Sequence, residues 1–175
     1  MNAIIRAMEK RRSIRQFKPE MPDRQDLDQI IEAGLYAASG MGKQGPVILA
    51  VTQKELRDRL SESNRKVGGW GEGFDPFYGA PAVLIVLANK ADFTWIYDGT
   101  LVMGNMMLAA HSLGLGSCWI HRAKEEFESE EYKAILKDLG IEGDYEGIGH
   151  CVVGYIDGEN PEAAPRKEGR VYFID

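Results

Sequence analysis

The feature that most constrains the fold is a set of short, continuously apolar runs. One covers residues 82–88 directly after Pro81, and others cover residues 47–51 and 149–155. Their length and their many β-branched side chains are typical of strands. Because hydrophobicity is continuous rather than alternating, both faces of each strand must be covered. The sequence therefore predicts one central sheet with helices on both of its faces.

Helical spacing and capping residues predict the layers on either side of the sheet. Asp23 is a candidate N-cap, residues 52–55 form a capping-box pattern, and Ser129 begins a segment that ends at Gly140. A further strand is predicted at residues 117–120. Apolar residues recur at helical spacing in residues 4–8, 27–38, 56–67 and 132–139.

Residues 98–113 are apolar almost all round, which is typical of a helix buried on every side. In a chain of 175 residues, part of that burial is expected to come from a second subunit. No repeat or linker divides the sequence, so residues 1–175 are predicted to form a single domain. The predicted class is α/β (α+β): a three-layer sandwich whose mixed central sheet is flanked by helices.

Charge and composition exclude some classes of function. The formal net charge is −6, which disfavours general binding to nucleic acid or to anionic membranes, so any anion must be held by a local basic site. Charged residues interrupt residues 1–10, and no run approaches the roughly 20 apolar residues of a membrane helix, so a cytoplasmic protein is expected. Cys118 and Cys151 lie in apolar stretches and are predicted to be reduced core thiols.

The first candidate site is the basic segment Arg11-Arg12-Ser13-Ile14-Arg15. If this segment is extended, Arg11, Ser13 and Arg15 project to one side and Ile14 is buried on the other. Two guanidinium groups and a hydroxyl would then converge on one point, as suits a phosphate. The alternative is a solvated basic turn, favourable at the C-terminal end of a helix.

The second candidate is the glycine-rich turn at residues 38–46. Glycines let backbone N–H groups approach a ligand closely, although an ordinary helix C-cap with a loop explains them equally well. The turn is not a P-loop, because no Gly-Lys-Ser/Thr step opens a helix.

Residues 11–17, 36–46 and 114–122 together resemble the small nitroreductase type of flavoprotein, and the resemblance extends over essentially the whole chain. In that family an opening helix runs into an Arg-x-Ser-x-Arg/Lys-x-Phe segment. Taken together, the order of the motifs, their spacing and the chain length support the resemblance more strongly than any single motif does. The matching residues here are Arg11, Ser13, Arg15 and Phe17.

The resemblance implies how the first segment would hold FMN. Arg11 and Ser13 would bind the ribityl phosphate, and Arg15 would reach the ribityl chain and the N1/O2 side of the flavin. Arg12 belongs to the same set but points to the other side of an extended segment. A basic pair near the C-terminus, matched by Arg166 and Lys167 within a residue or so, would complete the phosphate site.

Two further family features are matched in part. A Ser-x-x-Asn-x-Gln-Pro-Trp loop approaches the flavin from the other subunit, and here Ser39 and Gln44 agree while Gly42 replaces Asn. Contacts of the backbone, including that of Gly40, are expected to persist without the Asn side chain. The strand after the long helix ends in backbone amides that face flavin N5 and O4, a position held here by His121 and Arg122.

The resemblance implies an intertwined homodimer with two flavins at its interface and a C-terminal segment that reaches over the partner. It also implies that NADH or NADPH reduces the flavin and is then replaced by a small oxidised substrate, such as a nitroarene or a quinone. The cofactor carries the hard chemistry, so no catalytic triad or carboxylate pair is required. The protein supplies position and electrostatics.

Competing interpretations remain open at this point. One is a protein that binds FMN without turnover, and another is a flavin-free module that binds an anion. A zinc site is disfavoured, because His150 and Cys151 are adjacent in a strand and point to opposite faces. Four aromatic residues of the loop at 68–79 could line a substrate pocket or merely pack on one another: Trp70, Phe74, Phe77 and Tyr78.

Overall fold

A four-stranded sheet lies at the centre of the computed structural model, which describes residues 2–174. The sheet order is β1-β2-β4-β3, and each neighbouring pair is antiparallel. The predicted mixed sheet is therefore wrong for these four strands. Continuous hydrophobicity reflects helices on both faces, and it does not report strand direction. The strands are β1 Val47–Val51, β2 Ala82–Asn89, β3 Gly116–Ile120 and β4 Tyr145–Gly154.

Helices cover both faces of the sheet, as the apolar runs predict. On one face, α2 and α4 bury Ile30 and Met103 against Leu84, whereas on the other face α3 and α6 bury Leu60 and Leu136. The two apolar cores that result confirm the three-layer sandwich. The helices are α1 Ala3–Lys10, α2 Arg24–Leu35, α3 Lys54–Val67, α4 Trp95–Ser112, α5 Ala123–Phe127 and α6 Glu130–Asp138.

The long apolar helix α4 begins three residues before the predicted start at Asp98. One of its faces packs on the sheet through Val102, Met103 and Met106. Its other face is left open by the residues that the structure describes, and Leu101 is 48% exposed there. All-round burial is therefore not achieved by one chain alone.

The helix ends lie close to their predicted positions, but the predicted capping hydrogen bonds do not form in the described residues. Asp23 and Ser129 are the N-cap residues of α2 and α6, but neither side chain makes a capping hydrogen bond. The N-cap of α3 is Gln53, also without such a bond, so the predicted capping box is wrong. Gly140 has φ 72° just after α6, as expected for a residue that ends a helix.

The two cysteines are free and buried, as predicted. Cys118 packs into the core on one face of the sheet and Cys151 into the core on the other, so the sheet separates them. Complete burial raises the pKa of the Cys151 thiol to about 12. In residues 2–174 no helix combines the length and apolar character needed to cross a membrane.

Candidate flavin site

The basic segment after α1 is extended, which is the condition under which Arg11, Ser13 and Arg15 project to one side. Arg11 leaves the helix with φ −56° and ψ 133°. The Ile14 N–H donates to the Ser117 carbonyl over 3.0 Å, and Ser13 pairs with the same residue in a parallel bridge. Ile14 is 4% exposed and belongs to the core. The segment is therefore fixed along β3, with Ile14 in the core.

The three odd-numbered residues act on one buried point, the Cys118 thiol. Burial raises the pKa of this thiol, while the charge of Arg15, the neighbouring Ser13 side chain and the charge of Arg11 oppose the rise. Arg11 Nη1 is buried, and in the described part of the chain it has no hydrogen-bond partner. A buried guanidinium N–H without an acceptor is costly, so the geometry leaves a place for an anionic oxygen.

Arg12 behaves differently from its neighbours. Its Nη1 donates to the Glu9 carbonyl over 2.7 Å and to the Arg11 carbonyl over 2.6 Å. Such contacts satisfy the free carbonyls at the C-terminal end of a helix. The alternative interpretation of a basic helix end therefore describes the Nη1 contacts of Arg12, although its Nε, like Arg11 Nη1, is buried without a hydrogen-bond partner in the described residues.

The glycine-rich turn is held by a carboxylate that sequence reasoning missed. The Gly40 N–H donates to Asp98 Oδ1 over 3.0 Å, and the Thr94 hydroxyl donates to Asp98 Oδ2 over 2.9 Å. Asp98 is buried. Its signal in the sequence is a lone carboxylate at the start of an otherwise apolar helix. A Cβ on Gly40 would lie 2.1 Å from Thr94 Oγ1, so only glycine permits this close approach.

A hydrogen bond within the same turn closes it, and space remains beside Gly42. The Ser39 hydroxyl accepts a hydrogen bond from the Gln44 N–H over 2.9 Å. Gly42 has φ 65°, and nothing lies within 4 Å of the position its Cβ would take. The position at which the family carries Asn is therefore open space in this chain.

One chain does not bring all the predicted site residues together. In residues 2–174, no hydrogen bond or ion pair joins the turn at 39–46 to the segment at 11–15. Arg166 and Lys167 are exposed in the C-terminal tail, where Arg166 Nη2 donates to the Ala164 carbonyl over 2.6 Å. A single chain thus assembles the first segment and the end of β3, and it leaves the turn and the tail apart from them.

The end of β3 is held by a side chain that the sequence did not single out. The His121 carbonyl accepts a hydrogen bond from Asn64 Nδ2 over 2.8 Å. Arg122 follows with φ 80°, a conformation that L residues other than Asn and Asp rarely adopt. Its guanidinium lies 4.2 Å from the centre of the Trp70 ring. The loop at 68–79 therefore packs against the strand end.

Three aromatic side chains of that loop form a row between two arginines. The ring centres of Trp70 and Phe74 are 5.0 Å apart, and those of Phe74 and Tyr78 are 6.0 Å apart. Arg122 lies over the first ring and Arg15 over the last, 6.0 Å from its centre. The row thus connects the end of β3 with the basic segment. Phe77 is fully buried in the core and does not belong to the row.

Asp75 anchors the loop that carries this row. Its carboxylate accepts hydrogen bonds from the Arg57 guanidinium, the Ser61 hydroxyl and the N–H groups of Phe77 and Gly79. Burial acts to raise the pKa of Asp75, but these donors, led by Arg57 and Ser61, hold it below its ordinary value. The carboxylate is therefore the charged centre around which the loop folds.

Known proteins resemble this chain in sequence and in structure. FMN reductase [NAD(P)H] from Bacillus subtilis is 30% identical over 139 residues, 67% of this chain and 53% of that protein. A relative from Methanothermobacter thermautotrophicus is 28% identical over 66% of this chain and 59% of its own length. This chain therefore matches less than two thirds of the length of these two curated relatives.

Solved structures match over the full length. A nitroreductase with bound FMN from Bacteroides fragilis superposes with a TM-score of 0.88 at 28% identity and covers 100% of both chains. A nitroreductase with bound FMN from Desulfitobacterium hafniense has the same TM-score at 26% identity, with 99% of this chain and 100% of that chain covered.

The sequence model of the Nitroreductase family matches residues 8–68 and 70–155, which include the basic segment, the glycine-rich turn and all four strands. With this match over most of its length, the chain belongs to the nitroreductase family.

Proposed function

We propose that this chain is an FMN-dependent oxidoreductase that takes electrons from NADH or NADPH and reduces small oxidised organic molecules such as nitroarenes or quinones. The observation that carries the proposal is the unsatisfied, buried Nη1 of Arg11 beside Ser13 and Arg15. The FMN bound in the two similar nitroreductases supports the choice of cofactor.

The residues present fit a flavin phosphate. Arg11 offers a buried N–H without an acceptor in the described residues, and Ser13 adds a hydroxyl on the same side of the segment. A phosphate dianion accepts strong, charge-assisted hydrogen bonds from such donors. Because the site is local, it is compatible with the net charge of −6.

The remaining groups would orient the ring system. Arg15 lies between the phosphate donors and Tyr78, so its charge would favour a flavin that carries negative charge at N1/O2. The Arg122 N–H donates to no acceptor in the described part of the chain, which leaves it available for the N5 and O4 edge. When bound, FMN would supply the redox chemistry, accepting a hydride at N5 from NAD(P)H and passing two electrons to the second substrate.

The proposal includes a homodimer, because one chain leaves the site incomplete. The turn at 39–46 and the pair Arg166 and Lys167 do not meet the basic segment within the chain. Large apolar side chains are exposed on three elements, and such surface marks an interaction site. They are Ile4, Ile5 and Met8 of α1, Ile96, Tyr97 and Leu101 of α4, and Val171, Tyr172, Phe173 and Ile174 of the tail.

The test is an anaerobic absorbance titration of the purified protein after incubation with FMN. An enzyme is expected to retain yellow flavin, to bleach rapidly with NADH or NADPH, and to recolour on addition of a quinone or a nitroarene. Yellow protein that neither nucleotide reduces would identify an FMN-binding protein without turnover. Colourless protein that takes up no FMN would overturn the proposal and leave an anion-binding module.

A further inference from the structure

A buried polar cluster lies beside the end of β3. It consists of Asn64 on α3, Glu126 on α5 and His150 on β4, which are 0%, 1% and 0% exposed. None of the three has a role in the flavin contacts that the family resemblance implies. The ring of Phe77 closes the cluster at 5.2 Å from the His150 ring.

The contacts of the cluster converge on two successive carbonyl groups. Asn64 Nδ2 donates to the His121 carbonyl over 2.8 Å, and His150 Nδ1 lies 3.4 Å from the Ile120 carbonyl. Glu126 Oε2 lies 2.7 Å from His150 Nε2 and 3.4 Å from Asn64 Nδ2. The cluster therefore holds the backbone at the point where β3 ends.

Hydrogen-bond logic limits how the three side chains share their protons. A carbonyl only accepts, so the contact at Ile120 requires a proton on His150 Nδ1. Glu126 Oε2 and His150 Nε2 lie 2.7 Å apart, so one proton between them joins the carboxyl group to the ring whichever of the two atoms carries it. In either case Oε2 keeps a lone pair that faces Asn64 Nδ2.

Burying these three polar side chains in the core costs free energy. Glu126 Oε1 and Asn64 Oδ1 are buried and have no hydrogen-bond partner within residues 2–174. Apolar residues of similar volume are often as stabilising as a buried ion pair, or more so. Stability alone therefore gives no reason for these three side chains, whereas a requirement for fixed backbone geometry does.

The fixed backbone is the peptide between His121 and Arg122. The carbonyl that Asn64 holds and the Arg122 N–H belong to the same planar group, so an anchor on one sets the direction of the other. Arg122 is held at φ 80°, outside the region that an arginine prefers, and needs such support. Because this peptide is trans, the N–H points away from the Asn64 side.

We infer that Asn64, Glu126 and His150 are positioning residues that aim the Arg122 N–H at the N5/O4 edge of the flavin. Asn64 acts directly on the peptide, and the Glu126–His150 pair holds Asn64 and the preceding carbonyl. The inference rests on the proposed function, because it needs a flavin at this site. According to this inference, buried side chains of the protein contribute to the affinity for the flavin and to the absorption spectrum of the bound flavin.

The test compares oxidised FMN with riboflavin, which lacks the phosphate. Asn64→Leu removes the donor with little change in volume. It is expected to weaken the binding of both ligands by the same factor, about tenfold for one lost net hydrogen bond, and to shift the visible absorption band of the bound flavin. Glu126→Gln, which removes the charge and keeps the shape, is expected to change both readouts in the same direction by less.

Leu60→Ala is the matched control, because Leu60 lies one turn earlier on α3, is buried, and has no polar side-chain atom that could hold the peptide. It is expected to lower stability and to leave both affinities and the absorption band unchanged. Equal losses in Leu60→Ala and Asn64→Leu would overturn the inference, and so would unchanged affinity and spectrum in both cluster variants. Wild-type protein that binds no FMN would instead refute the proposed function.

Discussion

At the residue scale, two neighbouring arginines differ in how they meet the end of α1. Arg11 Nη1 and Arg12 Nε are both buried without an acceptor in the described chain, but Arg12 also donates through Nη1 to two carbonyls at the end of α1. The two residues look alike in the sequence. Because Arg12 is tied to the helix end, Arg11 is the guanidinium that remains for a ligand.

Replacement of Arg11 by alanine should therefore weaken FMN binding. Loss of a charge-assisted donor costs roughly 1.5–3 kcal/mol, or about ten- to a hundredfold in affinity. Riboflavin affinity should be unchanged, since riboflavin has no phosphate. Flavin fluorescence titration measures both, with Lys10→Ala as the control on the same helix. An equal loss for FMN and riboflavin would contradict a phosphate role.

A second prediction at this scale concerns Gly147, where β4 passes α5. A Cβ at this position would lie 2.3 Å from the backbone C and O of Ala123, and a backbone cannot yield as a side chain can. Gly147→Ala should lower the free energy of unfolding by about 1–3 kcal/mol. Urea denaturation measures the change. Gly71→Ala, which meets nothing within 4 Å, is the control and should have little effect.

At the element scale, the loop at 68–79 is ordered by a charge rather than by its aromatic residues. Asp75 accepts four hydrogen bonds, and the aromatic row of Trp70, Phe74 and Tyr78 lies on the outside of the loop that Asp75 folds. The row then contacts Arg122 and Arg15 at its two ends. Asp75 thus links the stability of the loop to the shape of the proposed site.

The stability that Asp75 supplies should depend on pH. Its pKa in the folded chain is lowered from 3.8, so its contribution is present above that value and is lost as the pH falls through the folded pKa. Asp75→Asn should destabilise the protein by about 2 kcal/mol at pH 7, because it removes the charged partner of Arg57 Nη2 and leaves Asp58 as its remaining ion pair. The difference from wild type should shrink below about pH 4.

Urea denaturation at pH 7 and at pH 3.5 measures this difference. Asp58→Asn is the control, because Asp58 also pairs with Arg57 but is half-exposed. Exposed pairs contribute little, so its effect at pH 7 should stay below about 1 kcal/mol. A difference between Asp75→Asn and wild type that does not change with pH would contradict the role of the charge.

At the scale of the whole molecule, the most prominent feature is the apolar surface that α1, α4 and the tail expose to solvent. The residues of the tail are among the most exposed in the chain, with Ile174 at 98%. The turn at 39–46 packs against the first turns of α4, so it is carried by the same exposed element. Assembly and completion of the flavin site are thereby coupled in the proposed dimer.

Leu101→Asp should separate the dimer and abolish tight FMN binding together. A carboxylate on the exposed face of α4 would be buried without a partner in the interface. Sedimentation velocity measures assembly, and absorbance of the purified protein measures bound flavin. Leu139→Asp is the control, since Leu139 is 60% exposed on another part of the surface. A Leu101→Asp protein that is monomeric and fully loaded with FMN would contradict a shared site.

The sequence predicted those parts of the site that depend on local pattern. For an extended segment, the two-residue period predicted that Ile14 is buried and that Arg11, Ser13 and Arg15 share the other side. The supporting residues were not predictable in this way. Asp98 and Asn64 hold backbone groups that are 58 and 57 residues away in the chain, and nothing local in the sequence identifies those partners.

By itself, the sequence determined which segments are buried and whether their apolar residues repeat with the period of a strand or of a helix. The continuous runs at 82–88 and 149–155 indicated strands covered on both faces, because side-chain solvation is a local property of each segment. Only the tertiary structure decided that β2 and β4 are antiparallel, that Asn64 holds the His121 carbonyl, and that Arg15 and Arg122 lie at the ends of one aromatic row. These features require particular partners from distant segments, and burial alone does not specify which partner is met.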